Sequence, residues 1–240
     1  MPAWVPYCGA APVPAELWAR WNFDPILLGA LAVLAAIAWR SSERRPLMIG
    51  AIALILLMFV SPFCALSSAL FSARVTHHVT LTALVAPLIV YALPVRLLHW
   101  RGSLSIWTGV HALTFWLWHA PSMYEAALSS DALYWSMQLT LLGTAAGFWG
   151  AVRRAGELSA VAALLVSTVQ MGLLGALLTF APRPLYAPHY FSTIAWGYTP
   201  LQDQQLAGLI MWAPSAALYL AAALWVAGRW LTHEGREITA

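Results

Sequence analysis

His77, His78, His111, His119 and His189 stand within or beside long apolar runs of this 240-residue chain, as do Met123, Met171, Met211, Asp203, Gln138 and Gln170. Polar and ionisable groups in such surroundings are costly to hold, so they are the first candidates for function. Helical spacing prunes the set. His77 and His78 are adjacent, so their side chains diverge by about 100° around a helix, and one of them faces the bundle. His111 and His119 share a face but stand about 12 Å apart along the axis, too far to ligate one metal ion. His119 and Met123 are four residues apart and meet if the helix continues, although Pro121 makes its end irregular. Gln204, Gly208 and Met211 form a stripe on a later helix.

A cluster of His78, His119 and Met123, with His77, Met211 or Asp203 nearby, suits copper. Imidazole and thioether are soft or borderline donors that hold Cu(I), whereas carboxylate-rich oxygen sites select Mg or Ca. The same residues have plainer uses: a histidine at a helix end forms interface hydrogen bonds, and methionine in an apolar helix packs. Haem bound through His78, His111 or His119 from two helices is an alternative. Cys8 and Cys64 are the two cysteines. A disulfide, a role for Cys8 in a copper site, and two free thiols are all open. The chain has no nucleophile elbow, phosphate-binding loop, HExxH or paired-carboxylate arrangement, so it is not expected to be an enzyme.

The elements that position these residues follow from composition. The chain is 61% hydrophobic and 9% charged, against about 25% charged in soluble domains. Its mean hydropathy is +0.73, and its 14 tryptophans suit membrane–water interfaces. A helical span needs roughly 20 mostly apolar residues. Seven stretches qualify: 25–39, 46–66, 78–97, 104–120, 132–152, 158–180 and 206–231. Backbone groups in lipid must be satisfied internally, and the alternating segments of a barrel are absent, so these are helices. The expected fold is an all-α membrane protein, a seven-transmembrane-helix bundle. Residues 1–24 form an outer N-terminal segment, 25–231 the seven-helix domain with an outer loop at 181–205, and 232–240 a cytoplasmic tail. No cleavable signal peptide is expected, because the first residues lack a basic start and an apolar core.

All 12 basic residues are arginines. They are scattered between apolar runs, which argues against nucleic acid and for topology signals. One set of loops holds Arg40, Arg44, Arg45, Arg96, Arg101, Arg153, Arg154, Arg229 and Arg236, and the other holds Arg20, Arg74 and Arg183. The sets alternate along the chain, so the first faces the cytoplasm, with the N-terminus outside and the C-terminus inside. His78, His119, Met123, Asp203 and the long loop then share the outer side, where the loop acts as a lid or as a cap on helix ends. Gly143 and Gly147 form a GxxxG step that predicts close helix packing.

Several motifs resemble the CtaG-type cytochrome c oxidase assembly proteins of bacteria. PLQDQQLAGLIMWAP, residues 200–214, looks like that family's DQ-x-x-x-G-x-x-MW signature, and LWHAPSMY, residues 117–124, like its WH-x-P-x-x-Y motif. The segment ending HHVTLTALVAP at Pro87, the opening YCG, RWNFDP at 20–25 and PLYAPHY in the long loop also fit. The resemblance covers nearly the whole chain. It implies a multi-pass protein of the bacterial cytoplasmic membrane that helps assemble a haem–copper oxidase, with oxidase subunits, membrane lipid and a copper donor protein as partners. His78, His119, Asp203, Gln204 and Met211 match the family motifs. Arg74 stands where many members have the first histidine of an H-x-x-x-H pair, and Gln138 aligns with another histidine; His77 is a possible substitute. Arginine stays protonated and cannot ligate copper. The rival readings are a metal-free accessory subunit of an oxidase, a haem-binding membrane protein and a transporter, although the chain lacks the paired broken helices of the last.

Overall fold

The computed structural model describes residues 6–97 and 102–238; Arg101 lies outside these residues. Among the described residues every regular element is helical. Besides four short 3-10 helices, they are in chain order α1 (Pro25–Ser41), α2 (Arg45–Phe59), α3 (Phe63–Ala69), α4 (Phe71–Thr80), a π-helical turn (Leu81–Val85), α5 (Ala86–Ala92), α6 (Leu104–His119), α7 (Pro121–Leu128), α8 (Asp131–Arg154), α9 (Glu157–Phe180) and α10 (Pro200–Ile238). Five of the seven apolar stretches are helical nearly throughout, whereas 46–66 breaks between α2 and α3 and the helix of 78–97 ends at Ala92. By length and composition three runs can cross a membrane, Phe71–Ala92, Glu157–Phe180 and Pro200–Thr232. A fourth qualifies if α2 and α3, bent by 48° where they meet, form one span.

Large apolar side chains such as Ile26, Leu113, Val169, Leu177, Phe180 and Leu224 are exposed, while Arg74, His77, His78, His111 and Asp203 are fully buried. Apolar outside and polar inside is the arrangement of helices in lipid. The centre is formed by α4 and α5 against α8 and α10, with α6 and α9 alongside and α1 packed on α2.

Local chemistry explains where the helices begin and bend. Asp24 caps α1 by accepting from the Ile26 and Leu27 amides, and Pro25 occupies the first position, where no N–H is needed. The helix carrying His77 and His78 begins at Phe71, seven residues before the expected start at 78. Leu70 is extended and separates α3 from α4. Further along, Pro87 lacks an N–H, and the turn before it widens to π geometry, with the Ala86 amide bonding to Leu81. The Thr82 carbonyl freed by that widening accepts from Trp149 Nε1 of α8 at 2.9 Å. The bend is thus satisfied by a neighbouring helix.

The GxxxG step behaves unevenly. A Cβ at Gly147 would collide with the Trp107 ring of α6, so this glycine does permit close packing, whereas a Cβ at Gly143 meets nothing. Backbones approach closely between Gly175 of α9 and Gly208 of α10. A Cβ at Gly175 would lie 2.7 Å from the Gly208 carbonyl oxygen, and one at Gly208 would lie 2.6 Å from that of Gly175. Neither backbone can yield without separating the helices. Gly208→Ala should therefore destabilise the bundle by about 1–3 kcal/mol, seen as a lower thermal midpoint in detergent, while Gly143→Ala should leave it unchanged.

Candidate functional site

His77 and His78 stand three and four residues after Arg74 on α4, and both are fully buried, against the expectation that one of them faces the bundle. At 5.2 Å the Arg74 guanidinium stands over the ring of Tyr134 on α8, and Tyr124 of α7 is a second polar neighbour. None of the three guanidinium nitrogens has an acceptor in hydrogen-bond geometry among the described residues. Both ring nitrogens of His77 and both amide atoms of Gln138 also lack partners. Phe59 meets His77 edge-on, with ring centroids 4.7 Å apart.

His78 and His119, from α4 and α6, meet with ring centroids 5.2 Å apart and His78 Nδ1 3.4 Å from His119 Nε2. His119 Nδ1 is 2.7 Å from the Phe115 carbonyl, which only accepts, so this nitrogen carries the proton and Nε2 offers a lone pair. His78 Nδ1 donates to that lone pair, leaving His78 Nε2 buried and unpartnered. The structure therefore brings His78 and His119 together, while His77 packs against Phe59 and Phe63. His111 stands apart, with Thr144 at 3.4 Å and Tyr219 at 3.3 Å from its two nitrogens.

The remaining expected ligands have other surroundings. The Asp203 carboxylate accepts from the amides of Phe71 at 2.7 Å and Ser72 at 3.3 Å, and from the Ser72 hydroxyl. It caps α4 from another helix, about 10 Å along the axis from His78. Met211 is fully buried on α10, two turns beyond Asp203. Met123 is on α7, which is separated from α6 by an extended Ala120, so Met123 and His119 do not share a continuous helix. Gln204 accepts from the Leu185 amide at 2.7 Å and donates to Leu178 and Arg183 carbonyls, pinning the long loop. Gln170 accepts from Trp116 Nε1.

Spacing could not reveal two features near these residues. Cys8 and Cys64 form a disulfide that closes a separation of 56 residues. Cystine has no S–H, so the Tyr134 hydroxyl, 3.5 Å from Cys8 Sγ, is the donor. The loop between α9 and α10 is a packed cap. Ser192 and His189 both donate to the Ala69 carbonyl, at 2.6 and 3.3 Å, just where α3 breaks from α4. Tyr124 donates to His189 Nε2 at 2.7 Å, and Tyr186 stacks on Phe71 and donates to the His119 carbonyl. The loop prolines and aromatics were visible in the sequence; their partners were not.

A helical bundle with buried imidazoles under a loop cap defines a membrane protein whose polar centre is shielded from lipid. The model of the cytochrome c oxidase caa3 assembly factor family matches residues 27–233, and the chain belongs to that family. No curated protein and no solved structure matches it.

The cap makes a pH prediction. Burial lowers the His189 pKa from 6.5 to about 3, opposed by its bond to Ala69 and assisted by Arg74. A group depressed in the folded state binds more protons when unfolded, so its contribution is complete above about 6.5 and is lost as pH falls towards 3. The advantage of wild type over His189→Gln in thermal midpoint should be constant above neutrality and shrink below pH 6.5. An advantage that does not change down to pH 4 would contradict the assignment.

Proposed function

We propose that this chain handles Cu(I) as cargo during assembly of a haem–copper oxidase, passing it through the His78–His119 pair. The observation that carries the reading is the meeting of two imidazoles from different helices beside an unpartnered His78 Nε2. With His78 in its other tautomer, His78 Nδ1 and His119 Nε2 present two lone pairs to a soft cation. Among the described residues no group of three His, Cys, Asp or Glu side chains forms a metal site. The donor set therefore fits a cation content with few ligands, which Cu(I) is. A second positive charge beside the Arg74 guanidinium is disfavoured, and weak retention suits a carrier that must release its cargo.

The seven helical runs each cross the bacterial cytoplasmic membrane in this reading, with the N-terminus outside. The arginine asymmetry supports that orientation. So does the disulfide, since cystine persists in oxidising compartments. The histidine pair then faces the side where a copper donor protein and the copper-bearing oxidase subunit would meet it. The protein acts without catalysis of its own.

A second reading rests on Arg74. A fully buried cation between the histidines and Tyr134 favours an assembly partner that binds no metal and docks to oxidase subunits. Copper analysis separates the two. After anaerobic loading with Cu(I) and gel filtration, wild type should retain about one copper per chain, and His78→Ala/His119→Ala should hold about tenfold less or lower. Cells lacking the chain should lose cytochrome c oxidase activity, which wild type restores. Restoration by the double variant, with no copper on either protein, would leave the metal-free reading standing.

A further inference from the structure

At the opposite end of the bundle from the disulfide, three arginines from three helices surround one cavity. It has a volume of about 290 Å³ and is lined by Arg44 of α2's N-terminus, Arg153 of α8, Arg229 of α10, Tyr91, Trp225 and Glu157. Three guanidiniums against one carboxylate leave two net positive charges there. Each arginine is held differently. Arg153 donates to the Val90 and Leu93 carbonyls at 2.6 and 2.7 Å and lies over the Tyr91 ring. Arg229 lies over Trp225 at 5.1 Å. Arg44 is exposed at the rim, beside the turn where its own amide meets Ala92.

This basic cavity does not stand alone. It runs into an apolar groove of about 390 Å³, and the two share Arg44, Tyr91, Val152, Trp225 and Val226. The groove continues along the helix faces past Leu84, Leu88 and Leu218. A soluble anion has no use for an aliphatic channel, and a neutral lipid has none for three guanidiniums. Guanidinium forks match phosphate oxygens, and aromatic residues at that level suit the headgroup boundary. Basic pockets between membrane helices with apolar walls are fitted to anionic headgroups.

We propose that this cavity and groove bind one anionic phospholipid, with its phosphate on Arg44, Arg153 and Arg229 and an acyl chain in the groove. The bound lipid would bridge α2, α5, α8 and α10 at the end that lacks a covalent tie.

The test is native mass spectrometry of the whole chain in mild detergent, titrated separately with phosphatidylglycerol, phosphatidylcholine and inorganic phosphate. Phosphatidylglycerol should bind at least about tenfold more tightly than phosphatidylcholine and raise the thermal midpoint. Arg44→Gln/Arg229→Gln spares the structural bonds of Arg153 and should remove that preference. Ala222→Trp, which fills the groove, should weaken binding of the lipid as well. Equal binding of the two lipids, or a preference unchanged in the double arginine variant, overturns the proposal. A midpoint shift by inorganic phosphate as large as that by lipid assigns the cavity to a soluble anion and overturns it too. The headgroup comparison on wild type decides the matter if a variant does not fold.

Discussion

A single carboxylate joins the two most informative segments of the chain. Asp203, at the start of α10, accepts from the backbone and side chain at the start of α4, 131 and 132 residues earlier in sequence. Helix N-termini carry unsatisfied N–H groups and a partial positive charge, so a carboxylate there is favourable twice over. The cap is needed because Leu70 is extended and α3 cannot pass its helix directly into α4. Once the first turn of α4 is fixed, the rotation of the helix is fixed, and Arg74, His77 and His78 are directed into the bundle. The loop cap rests on the same joint, through the Ala69 carbonyl.

Around that joint, the two strings that carry the family resemblance have physical roles. In DQQLAGLIMW, Asp203 caps α4, Gln204 fastens the loop, Gly208 admits the backbone of α9, and Met211 fills the core. In WHAPSMY, Trp118 donates to Thr140 on α8, the carbonyl of His119 holds Tyr186, Pro121 opens α7, and Tyr124 holds His189. Most of these residues are thus accounted for by architecture. Outside these strings, His77, Gln138, Arg74 and the free nitrogen of His78 are among the buried polar groups without partners in the described residues. Buried polar groups without partners are expensive, which is why the functional reading rests on them.

Hydropathy made the helical stretches legible, because each is a long apolar run. Boundaries that depend on distant partners were not. Nothing in FSARVTHH resembles the start of an apolar span, and its cap lies on another helix, so hydropathy alone starts this helix seven residues late. The π turn needed Trp149 as well as Pro87. The pairing of Cys8 with Cys64 was one of three open options, since a separation of 56 residues carries no information about distance. The candidate ligands divided similarly. His78 and His119 come together, whereas His77 packs on Phe59 and Phe63, and Asp203 and Met123, which shared sidedness puts nearby, are set apart by the cap and by the break at Ala120.

Asp203 is the joint that orients α4, and amide hydrogen exchange on Asp203→Ala tests this role directly. The Phe71 and Ser72 amides should exchange about tenfold faster than in wild type, as expected for loss of a cap of about 1–2 kcal/mol. The rest of α9 and α10 should keep its protection. Unchanged exchange at Phe71 and Ser72, or acceleration spread evenly over the bundle, would contradict it.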